Sequence, residues 1–340
     1  MISEVIFLMK KVLCALLALL LICSLEACGE KKPSADPGAT QAAENNGLDI
    51  DATVFPLYDW TRELTAGSDA KLTLLLDSGV DLHSFQPTMD DILKISSCDV
   101  FIYVGGESDE WVDDALKQKK NENMVVLDLM ELLGDRAKEE ELIEGMQPEE
   151  EEEEEAEEEE EAEYDEHIWL SLKNASFLCD KLAGALSSAD AENAALYRSN
   201  ADAYIGKLNA LDAEYAAAAE AAPNKTMVFG DRFPFRYLTS DYGLTYYAAF
   251  LGCSAEAEAS FETISFLAGK LAELGLTHIV ALESSDGKLA RTIVTNSKAE
   301  NVEVVTMDSL QSATADDAQS GTTYLSVMEK NLEALKTALS

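Results

Sequence analysis

The sequence predicts an α/β protein of two pseudo-symmetric lobes with mostly parallel sheets, joined by a long rigid backbone helix. Short apolar strands alternate with amphipathic helices from Ile50 onward, which is the pattern of parallel α/β sheets. The same alternation resumes after Pro223, and a helical stretch rich in Ala, Leu, Glu and Asp separates the two series. The predicted mature chain is long enough for one large or two small hydrophobic cores.

The N-terminal lobe is predicted over residues 48–188 and contains four strands. Its first helix ends at Gly67, and its second begins at Thr88, where Asp91 completes a capping box. The predicted strands are Asp51–Pro56, Lys71–Leu76, Asp99–Val104 and Met124–Leu127. The predicted helices are Tyr58–Ala66, Thr88–Ser96, Glu110–Gln118 and Leu172–Leu186.

The linking helix is predicted over residues 189–222 and the C-terminal lobe over residues 223–340. Gly206 alone interrupts the linking helix before Pro223 ends it, so we expect a stiff connection and no large closure of the lobes. The predicted strands of the second lobe are Thr226–Phe229, Thr245–Ala249, His278–Leu282 and Val302–Thr306. Its predicted helices are Ser260–Glu273, Lys288–Ser297 and Thr323–Leu339.

The N-terminal segment predicts export and lipid anchoring. Lys10 and Lys11 precede an apolar run, Val12–Cys23, that is too short to span a membrane comfortably, and Leu25-Glu26-Ala27-Cys28 follows. We interpret residues 1–28 as a signal peptide with a lipobox, in which Cys28 is lipidated, and residues 29–47 as a flexible tether. Met9 is an alternative start codon. The predicted location is the outer face of the bacterial cell membrane.

The net charge of −40 is concentrated in one place. Residues 139–166 contain nineteen acidic side chains, and the insertion 139–165 is predicted to be a disordered surface segment because its charges repel one another. Two interpretations stay open: the run gathers cations weakly near a metal site, or it is a solvated insertion without a metal role. No basic patch is present, so nucleic acid is not expected as a partner.

The cysteines do not predict a disulfide scaffold. Cys14 and Cys23 lie in the predicted signal peptide, which leaves Cys98, Cys179 and Cys253 without any CxxC spacing. We expect these three to be buried free thiols, and we expect no thiolate in a metal site.

Three histidines remain as candidates for metal binding. His83 follows a predicted strand, and ligands of open α/β sheets bind beyond the carboxyl ends of strands. His167 directly follows the acidic insertion, and His278 begins a predicted strand. We interpret His278 as a structural or surface residue, because neither its position nor its neighbours suggest a site.

Four stretches in this order resemble the zinc/manganese solute-binding protein family of metal ABC importers, and the similarity covers nearly the whole predicted mature chain. The first is Pro56-Leu57-Tyr58-Asp59 with Ser78-Gly79-Val80-Asp81-Leu82-His83-Ser84-Phe85-Gln86-Pro87-Thr88. The second is Asp165-Glu166-His167-Ile168-Trp169-Leu170-Ser171-Leu172-Lys173-Asn174-Ala175. The third is Val228-Phe229-Gly230-Asp231 with Asp241-Tyr242-Gly243-Leu244. The fourth is Val304-Val305-Thr306-Met307-Asp308-Ser309-Leu310 with Tyr324 through Leu332.

The resemblance implies two α/β lobes with a divalent metal in the cleft between them. It implies His83 and His167 as ligands from the first lobe and Asp308 as a ligand from the second. The family's third ligand, usually His or Glu, is missing here, and Asp231 is the best substitute. Three glutamates are alternatives to Asp231: Glu256, Glu258 and Glu283. Such a set favours zinc, with manganese or iron as alternatives.

The resemblance also implies the partners: a divalent metal ion, an ABC permease with its ATPase, and the membrane through the lipid anchor. A monomer is expected. A surface adhesin or a metal-buffering lipoprotein with the same fold stays open as an alternative. A secreted metallohydrolase is a more distant alternative, because neither HExxH nor GxSxG is present and four protein ligands would close a tetrahedral metal. The protein is therefore expected not to be an enzyme.

Overall fold

The computed structural model describes residues 47–147, 163–254 and 258–340. Within these ranges, eight strands form two sheets of four, and every strand pairs in parallel with its neighbours. The strands are β1 (Asp49–Ala52), β2 (Lys71–Leu74), β3 (Val100–Tyr103), β4 (Val125–Asp128), β5 (Thr226–Arg232), β6 (Thr245–Phe250), β7 (His278–Leu282) and β8 (Glu303–Met307).

The two sheets have the same topology, with orders β2-β1-β3-β4 and β6-β5-β7-β8. In each lobe the first strand therefore lies inside the sheet. The second strand is added on one side of it, and the third and fourth strands are added on the other side. This is the arrangement in which open α/β sheets leave a crevice beyond the strand ends. The predicted α/β class and the two similar lobes are confirmed.

The helices of the first lobe are α1 (Phe55–Thr65), α2 (Met89–Ser97), α3 (Trp111–Leu116), α4 (Leu129–Leu133) and α5 (Leu172–Ala189). The predicted capping box is present: Thr88 Oγ accepts from the Asp91 amide at 3.2 Å, and Asp91 Oδ2 accepts from the Thr88 amide at 2.9 Å. The first strand ends earlier than predicted. Pro56 lies in the first turn of α1, where a proline costs no hydrogen bond, rather than at the end of β1.

The helix after α5 is α6 (Ala194–Ala221), 28 residues or about 42 Å long. It begins later than the predicted 189–222 because Asp190 holds a turn, accepting from the Asn193 amide at 3.2 Å and from Tyr197 Oη at 2.7 Å. One face of α6 is buried against α5, α1 and the C-terminal helix of the chain. The helices after α6 are α7 (Arg236–Tyr242), α8 (Phe261–Leu274), α9 (Lys288–Asn296), α10 (Ala315–Gln319) and α11 (Tyr324–Ala338).

The lobes are tied together by buried hydrogen bonds. Asp59 in α1 accepts from the backbone amide of Tyr324 at 2.8 Å, and Tyr324 Oη donates to the carbonyl of Trp169 at 2.6 Å. Trp169 Nε1 donates to the carbonyl of Ser309 at 2.8 Å. Because all these groups are buried, breaking them would leave polar atoms unsatisfied.

Several predictions concern residues outside the described ranges: the signal peptide, Cys28, the tether up to residue 46, and the glutamate run at 148–162. The ends of the predicted insertion differ from the expectation of disorder. Glu139 and Tyr164 form an antiparallel bridge, and the Glu140 amide donates to the Glu163 carbonyl at 2.9 Å. In the part of the chain that the structure describes, no helix is both long and apolar enough to cross a bilayer.

Candidate metal centre

His83 lies in a short 3-10 turn, Leu82–Ser84, in the loop that follows β2. Asp81 caps this turn by accepting from the His83 amide at 3.0 Å. The ring nitrogen Nδ1 lies 2.7 Å from Ser108 Oγ and 3.5 Å from Glu166 Oε2. Burial, and then the neighbouring His167, lower the pKa of His83 to about 3, so this imidazole is neutral and can act as a ligand.

His167 is fully buried just before the 3-10 turn Ile168–Leu170. Asp165 Oδ1 accepts from the His167 amide at 2.8 Å and lies 3.0 Å from the ring Nδ1. Burial by itself would lower the pKa of His167, but the charge and hydrogen bond of Asp165, followed by Glu140, raise it overall. A carboxylate on Nδ1 fixes the ring so that Nε2 faces the cleft, which is the usual support of a metal-binding histidine.

The two imidazoles face each other through their Nε2 atoms, and the distance from His83 Nε2 to His167 Nε2 is 3.3 Å. Two nitrogens bound to one tetrahedral zinc at about 2.05 Å would be about 3.3–3.4 Å apart. If both nitrogens lacked a proton, their lone pairs would repel at this distance. A metal ion, or a proton on one ring, is therefore needed between them.

Cys253 is the third member of this cluster. Its Sγ and one ring nitrogen of each histidine all lie within 4.8 Å of one another. Cys253 lies in the loop after β6, and its amide donates to Glu140 Oε1 at 3.1 Å. Burial, and then nearby carboxylates led by Glu140, raise the pKa of the thiol well above its ordinary value.

The expectation for the cysteines is therefore only partly met. Cys98 and Cys179 are buried free thiols, whereas Cys253 is half-buried and adjoins the histidine pair. The expectation that no thiolate belongs to a metal site stays a prediction, and the structure places the Cys253 thiol beside the histidine pair. Its position beyond the carboxyl end of a predicted strand is the signal that could have identified it.

A cavity of about 230 Å³ adjoins the cluster. Acidic and polar side chains dominate its lining, which suits a hydrated cation rather than an apolar ligand. The lining residues are His83, Glu107, Ser108, Glu140, Glu163, Tyr164, Glu166 and Cys253.

Asp231, the predicted third ligand, accepts hydrogen bonds from two backbone amides. Its Oδ1 accepts from the Arg232 amide at 3.0 Å, and its Oδ2 accepts from the Leu282 amide at 3.2 Å. Both oxygens thus hold backbone groups at the ends of β5 and β7. Its neighbour Arg232 reaches into the cleft, where it pairs with Asp81 at 2.6 Å and donates to the Ser254 carbonyl at 3.2 Å.

Asp308 also holds a loop. Its Oδ1 accepts from the Leu310 amide at 2.8 Å, which shapes a tight turn in which Leu310 has a φ of 63°. Glu283 accepts from the Ser309 amide and from Ser309 Oγ, each at 2.8 Å. Burial and the Asp308 charge raise the pKa of Glu283 to about 7. Among the described residues, neither Asp231 nor Asp308 belongs to the cluster of the histidine pair.

The loop held by Asp308 and Glu283 brings Gln311 to the histidine pair instead. Gln311 is buried, its Nε2 lies 3.0 Å from His167 Nε2, and its Oε1 has no hydrogen-bond partner among the described residues. A half-turn of the amide would exchange the two atoms and present the oxygen to the pair. No sequence motif marks Gln311 as a site residue. Of the alternative residues, Glu258 is exposed and Glu256 lies outside the described ranges.

Two α/β lobes with an imidazole pair, a thiol and carboxylates converging between them define a two-lobe metal-binding protein. The comparison with known families is more specific. The chain belongs to the ZnuA family, described as zinc-uptake complex component A, periplasmic, whose model matches residues 50–338.

Relatives with established names agree with this membership. The zinc-binding lipoprotein AdcA of Streptococcus pneumoniae is 32% identical over 331 residues, which are 96% of this chain and 61% of AdcA. The chain therefore spans about three fifths of that relative. The high-affinity zinc uptake system protein ZnuA of Bacillus subtilis is 30% identical over 315 residues, 92% of this chain and 93% of that protein.

A solved structure shows the same fold. The Zn(II)-bound ZnuA-like domain of Streptococcus pneumoniae AdcA superposes with a TM-score of 0.67 at 28% identity, covering 86% of this chain and 99% of that domain. The family resemblance inferred from the four sequence motifs is thereby confirmed.

Proposed function

We propose that this chain is the substrate-binding protein of a zinc ABC importer, which captures one zinc ion between its lobes outside the membrane. The observation that carries the proposal is the His83–His167 pair, with its Nε2 atoms 3.3 Å apart. Both Nδ1 atoms are held by polar partners, Ser108 and Asp165, so the Nε2 atoms are the ones directed toward the metal. A half-turn of the Gln311 amide would move its nitrogen away from His167 Nε2. The zinc-binding names of relatives that cover most of the chain support zinc as the cargo.

The predicted carboxylate ligands Asp231 and Asp308 stay predictions, and the geometry supports them less than the histidines. Their oxygens accept hydrogen bonds from backbone amides of the loops around the cleft. These bonds hold Asp231 and one oxygen of Asp308 to the loops, whereas the ring nitrogens of the two histidines already lie together.

The test is elemental analysis of the purified full-length chain, followed by competitive titration with zinc and manganese. We expect one zinc per chain, and we expect His83→Ala and His167→Ala each to remove tight binding. His278→Ala is the matched control, because His278 lies at the start of β7 with Thr277 Oγ as its 2.9 Å neighbour. Tight binding that survives both ligand substitutions, or no stoichiometric metal in the wild type, would overturn the proposal.

Delivery completes the proposed function. Because buried hydrogen bonds tie the lobes through Tyr324 and Trp169, release to a permease is expected to involve the cleft loops rather than a wide opening of the lobes. Anchoring through Cys28 is tested by labelling cells with a fatty-acid analogue. The wild type should carry the label, Cys28→Ala should not, and label on both proteins would exclude this anchor.

A further inference from the structure

We infer that the Cys253 sulfur is the third zinc ligand and joins the second lobe to the histidine pair of the first. The inference rests on the proposed function and concerns the chemistry of that same site. It replaces the predicted Asp231 oxygen with a sulfur donor, which no property of the sequence motifs suggested.

The distances permit this ligand. A tetrahedral zinc with bonds of about 2.05 Å to nitrogen and about 2.3 Å to sulfur separates those donors by about 3.6 Å. Sγ and the ring nitrogens already lie within 4.8 Å of one another. Closing the site thus requires a loop movement of at most about 1 Å, within the ordinary range of binding-loop adjustment.

The loop around Cys253 lies in close contact with neighbouring groups, and its backbone is held in place. A side chain at Gly252 would meet the Phe233 carbonyl oxygen at 2.8 Å and Glu140 Oε1 at 3.3 Å, so only glycine fits without movement. On one side of the thiol the Cys253 amide is bound to Glu140, and on the other the Ser254 carbonyl is bound to Arg232. The backbone on both sides of Cys253 is therefore fixed by side chains from outside the loop.

Arg232 links the two halves of the site. It bonds to the loop of Cys253 and pairs at 2.6 Å with Asp81, which caps the turn of His83. The guanidinium thus fixes the thiol loop relative to the first imidazole.

A second, independent feature also indicates a bound ligand. The Gln311 amide is buried beside His167 Nε2, and in the part of the chain that the structure describes its oxygen has no hydrogen-bond partner. Buried polar atoms without partners are rare in native proteins and call for an ion or water. The orphaned oxygen belongs to an amide whose nitrogen contacts His167, a member of the cluster that also contains the thiol.

In the proposed step, the S–H bond breaks, its proton passes to solvent, and a Zn–S bond forms with no change of oxidation state. A set of two imidazoles and one thiolate favours thiophilic ions. Manganese prefers oxygen donors and higher coordination, so the sulfur should select zinc over manganese.

The direct test is the absorption spectrum of the full-length chain loaded with Co²⁺, a spectroscopic substitute for zinc. We expect a near-ultraviolet sulfur-to-cobalt charge-transfer band in the wild type and in the control Cys179→Ala. The band should vanish in Cys253→Ser, whereas the weaker visible bands of histidine-bound cobalt persist. Zinc affinity of Cys253→Ser should fall by more than the roughly 10–100-fold cost of losing an outer-shell partner.

The outcomes separate this inference from the proposed function. Cobalt binding without a sulfur band, or with an identical band in Cys253→Ser, overturns the thiolate ligand and leaves zinc capture intact. Absence of cobalt and zinc binding in the wild type overturns both.

A second variant keeps the test independent of folding. Cys253→Asp offers an oxygen donor at the same place, so it should retain metal binding, lack the sulfur band and shift its preference toward manganese. Unchanged zinc-over-manganese preference in this variant would contradict the inference. Zinc should also protect Cys253 of the wild type from alkylation, as mapped by peptide mass spectrometry, and equal alkylation with and without zinc would contradict it as well.

Discussion

Asp165 provides the sharpest test of how the protein tunes its zinc affinity. The substitution Asp165→Asn keeps the size of the side chain and removes its negative charge. Asp165 is buried, and a single oxygen, Oδ1, contacts both the amide of His167 at 2.8 Å and its Nδ1 at 3.0 Å. An asparagine oxygen can accept both bonds, so the variant isolates the charge behind the imidazole.

The expected loss follows from this geometry. Removing the outer partner of a metal-binding histidine costs about 10–100-fold in affinity, or about 1.4–2.7 kcal/mol. Because Asp165→Asn keeps an acceptor for both bonds, its zinc affinity should fall by about 10-fold. Asp165→Ala removes both acceptors and should lie near the 100-fold end.

The pH dependence gives a second signature. The Asp165 charge raises the pKa of His167 against the lowering effect of burial, so a proton competes with zinc at Nε2 as the pH falls. Without the charge, that pKa is lower and proton competition begins at a lower pH. The difference in affinity between the wild type and Asp165→Asn should therefore narrow between about pH 7.5 and about pH 5.5.

The assay is competitive zinc titration against a chromophoric chelator at several pH values. Asp190→Asn is the control, because Asp190 also accepts hydrogen bonds but serves the start of α6. A change of less than about threefold for Asp165→Asn at pH 7.5, or a difference that does not narrow as the pH falls, would refute this account of His167.

Three further substitutions test other parts of the structure. Asp231→Asn should change the zinc affinity by less than about threefold. It should lower the free energy of unfolding by about 1–2 kcal/mol, because the carboxylate of Asp231 accepts hydrogen bonds from two backbone amides. A loss of zinc affinity of about tenfold would support Asp231 as a ligand. Burial raises the pKa of Asp51 from its usual 3.8 to about 6, so the folded state binds this proton more tightly than the unfolded state does. The folded state therefore loses stability as the pH rises from about 4 to about 6. The loss is at most about 3 kcal/mol and, with partial solvent screening, on the order of 1–2 kcal/mol. Asp51→Asn should therefore raise the free energy of unfolding in urea at about pH 7.5 and not at about pH 4, whereas a gain of equal size in the exposed control Asp49→Asn would contradict burial as the cause. Tyr324→Phe should lower the free energy of unfolding in urea by about 1–3 kcal/mol, because it leaves the buried Trp169 carbonyl without its donor. The control is Tyr58→Phe, at a partly exposed tyrosine. A loss no larger than in this control would show that the hydrogen bond between the lobes contributes little.

Much of the fold could be predicted because its causes are local. Alternating apolar strands and amphipathic helices gave the α/β class, and the Thr88–Asp91 box marked the start of α2 within one residue. Errors occurred where short-range preferences compete. Pro56 can end a strand or open a helix, and the turn at Asp190 delays the start of α6.

The candidate site was only partly predictable. His83 and His167 have local signals: each lies in a motif beside a turn, and the structure brings them together. Asp231 and Asp308 lie at strand ends in the same way, yet both oxygens of Asp231 and one oxygen of Asp308 accept hydrogen bonds from nearby backbone amides. Whether a side chain at a strand end points into the cleft depends on whether backbone amides of neighbouring loops donate hydrogen bonds to it. The positions of those amides are set by the packed loops, so no local sequence pattern predicts them.

The fold class, the family and the two candidate histidines could be read from the sequence, because periodicity, capping and motif order are properties of short segments. Which side chains of the second lobe lie beside those histidines depends on the tertiary structure. Cys253 and Gln311 reach the histidines across the cleft from positions 86 and 144 residues after His167, counted along the chain. Their approach depends on Arg232, Glu140 and Glu283 fixing the loops of the two lobes, and such contacts exist only once both sheets have folded and packed.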